Sequence, residues 1–421
     1  MTKPWPEERP TVGVDITGVE RIARLSSRRP GFVAKMFSAE EAEYCSGRPE
    51  RLAARWAAKE AVRKVFGSQG MPLPTYPSIA VTHRPGGAPE VLVGGAPVPG
   101  LELSLSHDVG LAVAVATFRP VLDAAVRLIA EVPGDMSLPG RPGQSHKGTF
   151  GTVLVLAGSP AFPGAAILAC RGAHRGGAGK VKVIVGAGAD GFAPETIRVP
   201  VPDLADGFSS HSAEAITASL SGAQAVVCGP GLGEGQSVPD FLGLILQRMN
   251  GRGSQLVLDA DALNAIAGSG HLRGLVPPGC VVTPHPLEAS RLMGRPLLDL
   301  QADRVGAAGA LAHQLSCVVV LKGPGTVVAG PRGEIWSDDH ATAALASGGT
   351  GDVLSGLIGA LIAQGQAPFA AAQAGVFLHA EAGSYLGRRR GRAGILASEV
   401  ADALVEIQEQ VRLVIEARSR P

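Results

Sequence analysis

Several short stretches carry the residue types that could do chemistry. Ser347-Gly348-Gly349-Thr350-Gly351-Asp352 runs into Val353-Leu354-Ser355-Gly356-Leu357-Ile358-Gly359-Ala360-Leu361-Ile362. Apolar residues at 353, 354, 357, 358, 361 and 362 predict a helix with one buried face. Gly356, Gly359 and Ala360 are small enough to let a neighbour pack closely. The glycine run feeds the helix N-terminus, where unpaired N–H groups and the helix dipole attract an anion. Asp352 places a carboxylate beside that anion hole, able to take a proton from a hydroxyl. A plainer reading makes Asp352 a helix cap and the glycines a tight turn.

Four further stretches decide between them: Gly229-Pro230-Gly231-Leu232-Gly233, Asp259-Ala260-Asp261-Ala262-Leu263-Asn264, Thr283-Pro284-His285-Pro286 and Lys322-Gly323-Pro324-Gly325-Thr326. Singly, each has a dull reading as a turn, a strand cap or a solvated lysine. Each, however, directly follows an apolar strand pattern. Such patterns lie at Thr152–Ala157, Val181–Val185, Ala225–Cys228, Leu256–Leu258, Val281–Thr283 and Val318–Leu321, separated by helical stretches such as Ala165–His174 and Phe241–Met249. Strand and helix in alternation predict a mainly parallel α/β sheet covered on both faces, with ligands at the carboxyl ends of the strands. Four motifs at successive strand ends, with the Gly-Thr-Gly-Asp loop, point to phosphoryl transfer directed at a hydroxyl. The Walker lysine motif is absent, which excludes a P-loop enzyme.

The first 120 residues hold a different set. Thr11-Val12-Gly13-Val14-Asp15-Ile16 reads as a strand with an acidic residue inside it, and Arg51 to Phe66 as a long helix bearing Lys59 and Glu60. Ser38-Ala39-Glu40-Glu41 has the spacing of a capping box. Leu101 to His107 and Leu111 to Phe118 read as strands. A carboxylate in an apolar strand needs compensation. Mg²⁺ held by Asp15 and Glu60 would supply it; so would an ion pair from Asp15 to a Lys or Arg, with Glu60 merely solvated.

The bulk composition narrows the classes. A chain of 421 residues has room for two domains or three. Lys plus Arg number 38 against 37 Asp plus Glu, so no global field recruits nucleic acid or an anionic membrane. The five cysteines are scattered without a CxxC pair, which favours buried reduced thiols over disulfides or zinc. No run reaches the roughly 18 apolar residues of a membrane span, and no signal core opens the chain, so the expected place is the cytoplasm. Pro133 to Gly143 is dense in Pro and Gly and reads as a linker or strap after a helix over 121–132.

Gly13-Val14-Asp15-Ile16, Arg55-Trp56-Ala57-Ala58-Lys59-Glu60-Ala61 and Ser104-Leu105-Ser106-His107 together resemble the signature blocks of holo-acyl-carrier-protein synthases, which are 4′-phosphopantetheinyl transferases. The resemblance implies an α+β domain over 1–120 that moves 4′-phosphopantetheine from coenzyme A to a serine of an acyl carrier protein. It makes Asp15 and Glu60 the Mg²⁺ ligands and Lys59 the catalytic assistant, puts His107 on a substrate-facing strand, and implies a homo-oligomer. Trp56 stands where that family often has Phe. A module that only binds carrier protein or builds an oligomer is the alternative.

The second resemblance covers residues 145–421, after a linker at 121–144. Ser145-His146-Lys147-Gly148-Thr149-Phe150-Gly151, Pro163-Gly164-Ala165-Ala166, Gly229 to Gly233, Pro284-His285-Pro286 and Leu321-Lys322-Gly323 are similar to ADP-dependent NAD(P)H-hydrate dehydratases, on a ribokinase-like fold. That implies repair of NADHX and NADPHX: ADP phosphorylates the ring hydroxyl, then phosphate leaves and AMP remains. Asp352 would deprotonate the hydroxyl. Ala166, Gly231 and His285 would line the hydrated-nicotinamide pocket, and Lys322, Gly323, Pro324, Gly325, Thr326 and Gly351 would hold the nucleotide. Leu287 departs from the Gly usual before the Glu of that loop, here Glu288. An epimerase domain often precedes this family; here the transferase-like module stands in its place. The rival is a hydroxyethylthiazole or other vitamin-precursor kinase of the same fold.

Overall fold

The two carboxylate-bearing regions of the sequence fold as two separate units. In the computed structural model, residues 11–118 and 132–418 are described, except 30, 69–70, 85–86, 99, 187–189, 202–203 and 205–206. The chain forms two compact units, residues 1–126 and 127–421. The junction expected near 120, and most of the helix expected over 121–132, lie outside the described residues.

Among the described residues, the first unit has six strands: β1 (Thr11–Gly18), β2 (Ile79–His83), β3 (Pro89–Val93), β4 (Ala96–Pro97), β5 (Leu101–Asp108) and β6 (Leu111–Phe118). They form two antiparallel sheets, β1-β6-β5 and β2-β3-β4. The helix Pro49–Ser68 carries the first sheet. Gly13 makes that possible, since a β-carbon there would overlap the Ala61 carbonyl oxygen. Strand and helix thus touch backbone to backbone, with Ala57, Ala61, Val62 and Val65 filling the core behind them. The opposite face of β1 exposes Val12, Val14 and Ile16, at 59%, 44% and 62%. The expected capping box is present: Ser38 Oγ accepts from Glu41 N, and Glu41 Oε2 accepts from Ser38 N.

The second unit continues with β7 (Thr152–Leu156), β8 (Lys180–Val185), β9 (Ile197–Pro200), β10 (Ala225–Cys228), β11 (Leu256–Leu258), β12 (Val281–Val282), β13 (Val318–Leu321), β14 (Val327–Ala329) and β15 (Ile335–Ser337). Their order is β15-β14-β13-β12-β11-β10-β7-β8-β9. Seven strands are parallel, and β14 and β15 close one edge antiparallel. Side chains of β7 alternate between layers: Val153 and Val155 join the core under helices Pro163–Arg175, Thr350–Ala363 and Pro368–Arg390, and Leu154 and Leu156 join the core of the other face. Burial on both faces explains the unbroken apolar runs, each buried Val or Leu contributing roughly 1.5–3 kcal/mol of transfer free energy.

The helix Thr350–Ala363 packs without a side-chain layer on one neighbour. A β-carbon on Gly356 would overlap the Ala169 carbonyl oxygen, and one on Gly172 would overlap that of Val353. Residues 132–143 lie along this unit as an extended strap: Val132 and Met136 are buried in its core, and Gln366, Gln373 and Arg418 bond Ser137, Asp135 and Val132. All five cysteines are buried and free. Cys280 and Cys317, distant in sequence, meet across the β12–β13 register with sulfurs 3.0 Å apart.

Candidate functional site

Loops from five strand ends and the start of one helix converge in the second unit. Gly349, in the left-handed region at φ 89°, opens the helix Thr350–Ala363. Thr350 Oγ1 folds back on the Leu345 and Ser347 carbonyls and so fixes the turn. Asp352 lies in the first helical turn but makes no capping hydrogen bond, and the cap position is Gly349. The plainer reading of Asp352 as a cap is therefore excluded. Burial pushes its carboxyl up to about 7, with Asp259 and Asp261 adding to the rise and Lys322 opposing it.

The strand ends supply the facing groups. After β13, Lys322 donates from Nζ to Asp259 Oδ1 at 2.7 Å, and its backbone N–H bonds Pro284 O. Burial works to lower its pKa, but Asp259, Glu288 and Asp352 outweigh that and raise it. Gly351 lies against this ammonium. Gly323 and Pro324 are exposed, Thr326 Oγ1 donates to Gly323 O, and Arg304 Nη2 gathers the carbonyls of Leu321, Lys322 and Gly325. After β12, His285 caps the helix Pro286–Met293: its Nδ1 accepts from Leu287 N and Glu288 N, and Glu288 Oε2 accepts from His285 N. Burial, then Lys322, lowers the His285 pKa, and burial raises Glu288 to about 7. Leu287 is 43% exposed, so the residue in place of Gly meets solvent.

Gly231 stands against Phe162 and Ala165 at the start of Pro163–Arg175, and the Pro230 and Gly231 carbonyls accept from Gly158 N and Ser159 N. Ala166 is 2% exposed, its methyl turned onto Gly158. What Ala166 offers a pocket is its small size and its backbone.

Asp352, Lys322, His285 and Gly231 were singled out from sequence; Asp259 and Arg304 were given no role there. Asp259 opens one of the motifs noted after a strand, while Arg304 carries no sequence signal.

In the first unit the arrangement differs from expectation at Lys59. Its ammonium is fully buried, 2.7 Å from Glu41 Oε2, and donates to the carbonyls of Tyr76 and Ile79. Burial depresses its pKa and Glu41 opposes that. Such a lysine ties the fold together and does not face a substrate. The ammonium beside Asp15 is instead Lys64, with Nζ 2.8 Å from Oδ1 and 2.7 Å from Val14 O. Asp15 Oδ2 accepts from Thr17, and Glu60 Oε1 accepts from Tyr76 OH at 2.6 Å. His107 is exposed at the end of β5. No group of three or more His, Cys, Asp or Glu able to hold a metal is found among the described residues.

A doubly covered, mainly parallel sheet with a glycine-opened helix and a carboxylate facing a lysine at its strand ends defines a ribokinase-like domain. Residues 153–406 match the family model described as NAD(P)H-hydrate dehydratase, and the chain belongs to that family. Residues 11–116 match that of the 4′-phosphopantetheinyl transferase superfamily. The ADP-dependent (S)-NAD(P)H-hydrate dehydratase of Neisseria meningitidis is 39% identical over 62% of this chain and 86% of its own length. The bifunctional NAD(P)H-hydrate repair enzyme of Gloeobacter violaceus is 40% identical over 67% of this chain; the alignment spans 54% of that enzyme, about half its length. The crystal structure of the Bacillus subtilis ADP/ATP-dependent NAD(P)H-hydrate dehydratase, co-crystallised with ATP and Mg²⁺, has a TM-score of 0.55 at 31% identity, covering 65% of this chain and 95% of that one.

Proposed function

We propose that the second unit dehydrates (6S)-NADHX and (6S)-NADPHX to the reduced dinucleotides at the expense of ADP. Asp352 takes the proton of the ring hydroxyl, whose oxygen attacks the β-phosphorus of ADP. The phosphorus–oxygen bond to AMP breaks; phosphate then leaves the ring carbon as a neighbouring carbon gives up a proton to water, and Asp352 returns its proton to solvent. The helix N-terminus and Lys322 offset charge on the moving phosphoryl group. His285 and the Gly229–Gly233 loop hold the hydrated ring, and Lys322, Gly323, Pro324, Gly325, Thr326 and Gly351 hold the nucleotide. The observation carrying this reading is the uncapped Asp352 carboxylate, poised at about 7 beside the Lys322 ammonium.

The test is return of the reduced-nicotinamide absorbance when NADHX is mixed with ADP, and separately with ATP. Phosphorylation of hydroxyethylthiazole with NADHX untouched would favour the kinase alternative and defeat this reading.

For the first unit we propose transfer of 4′-phosphopantetheine from coenzyme A to the serine of an acyl carrier protein. Asp15 and Glu60, on β1 and on the helix it touches, offer the oxygen donors a hard divalent cation takes. Lys64 and Tyr76 would yield their places to it, and the cation would neutralise the diphosphate. Because Lys59 is engaged by Glu41, the exposed Lys64 takes the role of charge partner. The bare apolar face of β1, continued on β6 by the exposed Leu111, supports a homo-oligomer.

A further inference from the structure

Of the motifs after the strands, Asp259-Ala260-Asp261 has no part in the proposed reaction, yet its geometry is costly. Asp259 is 1% exposed. Its Oδ1 accepts from Lys322 Nζ at 2.7 Å and from Ala260 N at 2.9 Å, while its Oδ2 is buried with no hydrogen-bond partner. A half-satisfied buried carboxylate is a poor way to stabilise a fold. Ala260 adopts φ 49° and ψ −118°, a conformation that costs a residue with a β-carbon about 1–3 kcal/mol. That turn aims the next carboxylate elsewhere: Asp261 Oδ2 accepts from Gly233 N at 2.8 Å. The backbone is tied as well, for a β-carbon on Gly229 would overlap the Asp259 carbonyl oxygen.

We infer that Asp259 and Asp261 are a pair of positioning residues joined by a strained turn. Asp259 sets the Lys322 ammonium for the nucleotide, and Asp261 sets the Gly229–Gly233 loop for the hydrated ring. The inference rests on the dehydratase reading for the identity of the two ligands. One rigid turn then spaces the two substrates: the lysine side chain on one side and the glycine loop on the other are referred to the same backbone. Neither carboxylate touches a substrate in this scheme, and each works through the group it holds.

The test is titration calorimetry of the full chain with ADP and, separately, with (6S)-NADHX. Asp259→Asn is expected to weaken ADP about tenfold, the worth of one charge-assisted hydrogen bond, and NADHX less than about twofold. Asp261→Ala should do the reverse, and Asp261→Asn, which keeps an oxygen acceptor, should recover NADHX affinity relative to the alanine variant. In a Lys322→Gln background the Asp259→Asn effect should vanish, because the group it orients is gone. Equal weakening of both ligands by either variant, no weakening by either, or an Asp259→Asn effect that persists without Lys322 overturns the inference. Lys322→Gln with Asp259→Asn also supplies a charge-matched pair should the single aspartate variant fail to fold. A wild-type chain that binds both ligands yet forms no NADH defeats the dehydratase reading while leaving the positioning test intact; one that binds neither defeats both.

Discussion

Lys322 lies against Gly351: a β-carbon built on that glycine would stand 3.3 Å from Nζ. Any larger group there has to move the ammonium, which is also bonded to Asp259 Oδ1. Gly351→Val is therefore expected to lower kcat for dehydration by about tenfold or more, since small misplacements at a reacting centre cost heavily. The melting temperature should change little by comparison. A variant with normal turnover would show that Lys322 does not need its present position.

The pH dependence expected of turnover follows from the proposed role of Asp352 as base. A base must be ionised, and burial holds this carboxyl near 7. Activity is expected to rise with pH through about 7 and to level off above it. Asp352→Asn should reduce kcat by about 10² to 10⁴ without unfolding the unit. A rate profile flat across neutrality, or an active asparagine variant, would remove Asp352 as the base.

A separate prediction concerns stability. His340 Nδ1 pairs with Asp338 at 2.7 Å and Nε2 with Glu381 at 2.8 Å. Its hydrogen bonds to Asp338 and Glu381 raise its pKa from 6.5 to about 10. A pKa raised on folding gives stability that is fully present below the unfolded value of 6.5 and is lost as pH climbs through about 10. His340→Gln should thus melt lower than wild type at pH 6, with the gap narrowing as pH rises toward 10. A gap independent of pH would mean that the imidazolium charge is not what the carboxylates hold.

In the first unit, Asp15→Ala or Glu60→Ala is expected to abolish mass addition to an apo-carrier protein while NADHX repair continues. Loss of both activities would instead signal misfolding. Lys59→Ala should melt the unit at lower temperature, because it strands the buried Glu41 carboxylate at a cost of about 3–5 kcal/mol. Ile16→Asp should reduce the mass of any oligomer measured by light scattering, and an unchanged mass would show that this face is not an interface.

Much of this was readable from residue order. Strands β7, β8 and β10 to β13 of the nine-stranded sheet are legible because burial on both faces leaves uninterrupted Val and Leu runs, and the glycine-fed helix because its stripe is periodic. The short strands β2 to β4, β9, β14 and β15 have no such signal: they are two to five residues long, and several contain or adjoin Pro or Gly. Which lysine stands beside Asp15 depended on how the helix Pro49–Ser68 docks, and the Gly13–Ala61 approach decides that. Position gave a clue nonetheless, since Lys64 is four residues beyond Glu60 and shares its helix face, whereas Lys59 does not. The Asp259–Lys322 pair joins residues 63 apart that follow different strands, and no local pattern announces it.

The glycine-to-carbonyl meshing of helices Pro163–Arg175 and Thr350–Ala363 has a mechanical consequence. Where Gly172 and Gly356 meet the facing carbonyls, backbone touches backbone, and the two rods cannot slip past one another there without collision. Asp352 therefore sits on a helix that is seated at backbone contact on its neighbour. The opposite rim is held less directly: Gly323 and Pro324 are exposed, and the bonds that reach their bend come from the Arg304 and Thr326 side chains.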